Sequence, residues 1–168
     1  MAQTITPLLT ASTEWARRTG SPRSSDAWTA TFVVGGHVSG EVAPADARQV
    51  GGIRKMASTW LNLLGLSYLH DDLLVIVSEI VTNAIEHAVD PHGGSVRVTQ
   101  RLGGGHLSTE VRDSGHGQPQ LAIAGHEEET GRGLYLVDNL TTGLGGTWGV
   151  DADQRTVWVE IPIPVDVP

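Results

Sequence analysis

The chain holds 168 residues with a net charge of −8 and no cysteine: the size of one domain with a tail, and no means to build a disulfide framework, a thiol nucleophile or a cysteine-ligated zinc. Lysine occurs once, at Lys55, and a surface that holds nucleic acid needs clustered Lys and Arg, so DNA and RNA are excluded as direct partners while a basic protein patch stays open. No apolar run approaches the ~20 residues of a membrane span and no N-terminal signal pattern is visible, which predicts a soluble cytoplasmic protein.

In chain order, residues 1–27 are rich in Ser, Thr, Arg and Pro and read as a flexible tail, with Trp15 a stray aromatic in it. The folded domain is expected over 28–163, opening near the β-formers of AWTATFVV (27–34), with 164–168 a short C-terminal tail. A first helix is predicted over 44–66. Pro44 opens it, Val50, Ile53, Met56, Ala57, Trp60, Leu61 and Leu64 form its apolar stripe, and Gly65 closes it, with Gly51–Gly52 a weak centre. A stronger helix follows over 70–89, with Asp71 and Asp72 in the first turn where the helix dipole favours them. Strands over 94–102 and 105–113 share a glycine-rich hairpin turn, and a polar loop runs over 114–131. A third helix is predicted over 133–141, then TWGV and 155–163 as a closing hairpin. This order implies an α+β two-layer sandwich, helices on one face of a mixed, mostly antiparallel sheet.

Three constellations carry possible chemistry. On the second helix, Asp72, Glu79, Asn83 and Glu86 fall on one stripe at spacings of seven, four and three. Such a stripe is ordinarily the solvated side of an amphipathic helix. Here apolar residues take more than half the circumference, and the stripe includes Asn83, a poor interior helix former whose carboxamide oxygen can ligate a hard cation. The second is DSGHG (113–117) at a strand end, where a carboxylate can accept from an exocyclic amino group beside a sharp glycine turn; read alone it is as readily an ordinary turn. The third is GRGLYLVDNL (131–140), where glycines precede a helix whose free N–H groups suit a phosphate and Arg132 offers a charged fork. No P-loop, dinucleotide fingerprint or ordinary protein-kinase signature is present, and the seven histidines are scattered, so no zinc is expected. His70, ahead of two aspartates, is read as a helix start rather than a phosphoacceptor.

In this order, E-x-x-x-N, D-x-G-x-G and G-x-G-L resemble the asparagine box and the two glycine boxes of the GHKL ATPase superfamily, over about residues 28–163. SEIVTNAIEHA, VRDSGHGQP, GRGLYLVDNL and RTVWVEIP are similar, more closely, to its compact anti-sigma factor and serine-protein kinase branch, the stand-alone ATP-binding proteins of actinobacterial type. The resemblance implies a Bergerat fold, ATP and Mg²⁺ as cofactors, and Glu79 as general base on an attacking hydroxyl. It implies Asn83 as the Mg²⁺ ligand, Asp113 as the adenine-reading carboxylate with Gly115 and Gly117 in the turn beside it, and Gly131, Arg132, Gly133 and Leu134 around the phosphates. Residues 118–130 then correspond to a lid over the nucleotide. The carboxylates Glu127–Glu129 in that lid are a departure: two unit charges 5 Å apart at an effective dielectric of ~20 repel by roughly 3 kcal/mol.

The implied function is a serine/threonine kinase in transcription regulation, which sequesters a sigma factor and phosphorylates a small antagonist protein. Homodimers are common in such a family. Two other readings stand beside it: a nucleotide-gated or nucleotide-independent binding module of the same fold, favoured by the acidic lid, and a detached histidine-kinase-type catalytic domain acting on another protein's histidine.

Overall fold

The computed structural model describes residues 27–36, 43–87, 93–114 and 132–164. The elements are β1 (Ala27–Val34), α1 (Pro44–Leu63), a 3-10 turn (Ser67–Leu69), α2 (His70–His87), β2 (Gly94–Gly103), β3 (His106–Asp113), α3 (Arg132–Gly143), β4 (Thr147–Val150) and β5 (Thr156–Pro162). They form one five-stranded sheet in the order β1-β2-β3-β5-β4. Every pairing in it is antiparallel, so the mixed sheet expected from sequence has no parallel pair among the described strands.

Register explains the two layers. Side chains alternate across a pleated strand, and the pairings Phe32↔Val96, Ala30↔Val98, Val98↔Val111 and Leu107↔Ile161 put one alternate set on one face. That set joins the helices in a single core with Ile53, Leu61, Leu73, Ile76, Ile80 and Ile85. The other set is mostly polar, with Val33 and Trp158 among it, and Thr29 and Thr99 hydrogen-bonded across β1 and β2 at 3.0 Å; the described helices pack on the first face. Each fully buried Leu or Ile contributes about 1.5–3 kcal/mol, which outweighs local preference. This is why α1 runs unbroken through Gly51 and Gly52: Ile53, Ala57 and Leu61 bury one stripe after the pair, and Val50 packs against the same core before it.

The helix ends follow from backbone chemistry. At the end of α1, Gly65 has φ 71°, its N–H reaches Asn62 O at 3.2 Å, and Leu66 N–H reaches Leu61 O at 2.9 Å. This Schellman arrangement satisfies carbonyls the helix would orphan, and only glycine adopts that φ without strain. α3 ends alike at Gly145. The α1–α2 hairpin is joined by Ser58 Oγ and His70 Nε2 at 2.6 Å, so His70 at the head of α2 has a structural partner. The loop Gly104–Gly105, both at positive φ, makes the tight β2–β3 hairpin. No described helix is long and apolar enough to cross a membrane.

Candidate functional site

α2 is the element that builds the site. Leu73, Leu74, Ile76, Val77, Ile80, Val81 and Ile85 are buried, while Asp72, Glu79, Asn83 and Glu86 are half-buried on the remaining stripe. A solvated stripe would be open. This one is narrowed because the first turn of α3 is laid against it. An added Cβ on Gly133 would lie 2.6 Å from Glu79 Oε2 and 3.6 Å from both amide atoms of Asn83. The four-residue spacing on α2 sets the carboxylate and the carboxamide side by side, and α3 presents its first turn to both. Leu134, the next residue, is buried and anchors that turn, with Val137 one turn on in the core.

The electrostatics of the pair are unequal. Burial pushes the Glu79 carboxyl above the ordinary glutamate range, and the charge of Glu86 pushes it the same way. A carboxylate held at higher proton affinity is a better proton acceptor at neutral pH than an exposed one. Sequence reasoning placed Glu86 on the stripe but gave it no role. The spacing of seven, two full turns along one face, is the signal that carried it.

Asp113 is the last residue of β3, half-buried, and shares a face with Val111 and Val96 under the helices. Its backbone is fixed from both sides. Asp113 N–H donates to Arg155 O at 3.1 Å, Ser114 N–H donates to Ser95 O at 2.9 Å, and Ser95 N–H donates to Ser114 Oγ at 2.7 Å. Arg112 adds an ion pair to Asp153 at 2.7 Å and donates to Thr156 Oγ1 at 3.2 Å, which draws the β4–β5 turn to the end of β3. No short motif foretells that clasp, because its partners lie some forty positions apart.

The structure therefore brings Glu79, Asn83, Gly133 and Leu134 together and sets Asp113 at the end of the strand beneath α2. Arg132 heads α3, and its side chain lies outside the described residues, as do Gly115, Gly117, Gly131 and the acidic run Glu127–Glu129.

Residues 43–159, which include Glu79, Asn83, Asp113 and the Gly133 turn, match the histidine kinase-like ATPase domain family. The chain belongs to that family. It is 36% identical over 97 residues to the sensor histidine kinase PdtaS of two Mycobacterium tuberculosis strains, a stretch covering 55% of this chain and 19% of that protein. The chain thus spans about a fifth of the length of the curated relatives it matches. Among solved structures, the blue-light activated histidine kinase of Erythrobacter litoralis EL346 aligns over 58% of this chain and 31% of its own, at 28% identity and a TM-score of 0.48. Its histidine kinase domain aligns over 89% and 69%, at 20% identity and a TM-score of 0.49.

A histidine kinase-like ATPase domain implies ATP, and the residues present fit it. Gly133 leaves uncovered the space in front of Glu79 and Asn83 that a side chain would fill. Asn83 and Glu79 offer hard oxygen donors, the type that suits magnesium. No cluster of three His, Cys, Asp or Glu able to hold a metal by itself occurs among the described residues. A magnesium ion bound at Asn83 would share its shell with phosphate oxygens and water, as magnesium usually does, and would supply charge neutralisation.

Proposed function

We propose that this ATPase domain binds MgATP against α2 and α3 and transfers the terminal phosphoryl group to a protein hydroxyl, with Glu79 as the base. The observation that carries this reading is the meeting of Glu79 and Asn83 with the bare first turn of α3 at Gly133. In the transfer, the bond from the terminal phosphorus to the bridging oxygen breaks. A bond to the acceptor oxygen forms, and the hydroxyl proton passes to Glu79. Such reactions need positioning and charge stabilisation more than covalent help, which a rigid helix pair can supply. Asp113 reads the adenine amino group. Asn83 holds magnesium, and the α3 N-terminal turn, with Gly131, Arg132 and Gly133, meets the phosphates.

A serine or threonine hydroxyl is the acceptor we favour. A hydroxyl must lose its proton to act as a nucleophile, and the raised proton affinity of Glu79 serves that need. The partners in this reading are a small serine-bearing antagonist as acceptor and a sigma factor as the protein sequestered. A second reading, with a histidine on another protein as acceptor, is supported by the identity to a sensor histidine kinase. Calorimetric titration with ATP and ADP, with and without Mg²⁺, tests the site. Labelled transfer to candidate acceptors then separates the readings, since phosphoserine survives acid and phosphohistidine does not. Nucleotide binding without transfer to any acceptor, unchanged in Glu79→Ala, would instead identify a nucleotide-gated binding regulator.

A further inference from the structure

We propose that Gly133 is a positioning residue for Glu79: its bare Cα holds the place of the Glu79 carboxylate, and any side chain there displaces the base while leaving the domain folded. The inference rests on the reading of Glu79 as base and adds the element that sets its position.

Glycine at 133 needs a reason. It is the second residue of α3 and is not among the glycines at positive φ. Backbone conformation therefore does not ask for it. The contact does. An added Cβ would fall 2.6 Å from Glu79 Oε2, inside the 3.0 Å below which real Cβ contacts essentially do not occur. The yielding partner is the end of a flexible side chain, so the clash resolves by moving the carboxylate rather than the helix. Asn83 behaves differently. Its amide atoms would lie at 3.6 Å, an ordinary van der Waals contact, and stay where they are. One methyl group at 133 thus separates the two neighbours, shifting the base and sparing the metal ligand. The charged residues on Glu79's own helix and on the elements packed against it include Glu86 on α2, Asp113 at the end of β3 and Arg132 at the head of α3, and of these Glu86 raises Glu79.

The test uses the full 168-residue chain with Gly133→Ala, Glu79→Asp and the double variant. Gly133→Ala is expected to melt within a few degrees of the native protein, and its ADP affinity is measured beside its transfer rate because the same turn is proposed to meet the phosphates. Its transfer rate at saturating nucleotide should fall about 10–100-fold, the scale of a misplaced reacting group. Carbon NMR of the nucleotide-free protein should show the Glu79 side-chain resonances shifted in Gly133→Ala relative to the native chain, with those of Asn83 little moved. Glu79→Asp withdraws the carboxylate by one methylene from the side chain at 133, so the double variant should transfer no more slowly than Glu79→Asp alone, a non-additive result. Unshifted Glu79 side-chain resonances in Gly133→Ala overturn the proposal, as do two substitutions whose losses multiply, or an unfolded Gly133→Ala. A large loss of ADP affinity with unshifted Glu79 resonances overturns it too, by showing that the glycine serves phosphate approach alone. If the native chain transfers no phosphoryl group, the kinase reading fails, and the NMR comparison still decides whether Gly133 positions Glu79.

Discussion

Gln100 offers the sharpest test of how the sheet is held. Its side chain is fully buried on the helix-facing side of β2 and bridges two strands. Trp28 Nε1 donates to its Oε1 at 3.1 Å, and its Nε2 donates to Thr109 Oγ1 at 2.9 Å. Gln100→Ala removes both bonds, leaves two buried polar groups unpaired at about 1–3 kcal/mol each, and opens a cavity in β2. Partial relaxation and water entry reduce the sum, and a loss of about 3–5 kcal/mol is expected, or a melting temperature lower by roughly 10–20 °C. Gln100→Glu discriminates further. A protonated carboxyl still accepts from Trp28 and donates to Thr109, so at pH 4 the variant should approach the native protein measured at the same pH. Burial raises the folded-state pKa of the new acid above its unfolded value of ~4.3, so the folded state holds the proton longer. The variant's relative stability then falls as pH rises through that window, by up to about 1.4 kcal/mol per unit, and levels off above the folded pKa. Differential scanning calorimetry of both variants against the native chain from pH 4 to 8 measures this. A Gln100→Glu melting offset that does not change with pH would refute the reasoning, as would a Gln100→Ala loss under 1 kcal/mol.

Three other outcomes follow from the same geometry. Gly51 is exposed in the middle of α1 with no atom within 4 Å of an added Cβ, so Gly51→Ala should stabilise the domain by about 0.5–1 kcal/mol in denaturant titration. Glu79→Gln should lower phosphoryl transfer by about 10²–10⁴-fold with nucleotide affinity largely kept. The acid limb of the native rate profile should lie above the ordinary glutamate range, since protonated Glu79 cannot accept a proton, and Glu86→Gln should move that limb to lower pH. Asp113→Asn should weaken ATP and ADP binding by about 10–100-fold in calorimetry, the worth of one hydrogen bond to a charged group, with a melting temperature close to native.

The elements of this fold were legible because each carries its own period. β1 alternates at Trp28, Ala30, Phe32 and Val34, and α2 repeats its apolar residues around a narrow polar stripe, so strand, helix and face follow from spacing alone. The end of α1 was legible at Gly65, where the required φ selects glycine, while α3, expected to stop at 141, runs on to Gly143 before a like turn at Gly145. Strand pairing was not. Nothing local says that β5 inserts between β3 and β4, because that order depends on which edge buries most against α2 and α3. The Arg112–Asp153 clasp is equally silent in sequence, for a surface ion pair leaves no periodic trace.

The site divides along the same line, and the division bears on how the domain works. Glu79 and Asn83 are four apart on one helix, so their mutual position is local and readable. Gly133 is fifty or more residues away, and its place against them is set by packing: Leu134 and Val137 are buried under α3, and an added Cβ at 133 would fall on the carboxylate. The Glu79 carboxylate is therefore bounded by two helices with different surroundings. α2 is buried along most of its length and fixes the Glu79 backbone. α3 begins where the described chain resumes, after seventeen residues that include the proposed lid, so its first turn is the part of the site joined directly to that segment. A side chain at 133 would meet the Glu79 carboxylate before Asn83, since an added Cβ lies 2.6 Å from the first and 3.6 Å from the second. Glu79 and Asn83 thus have separable sensitivities to what stands at position 133.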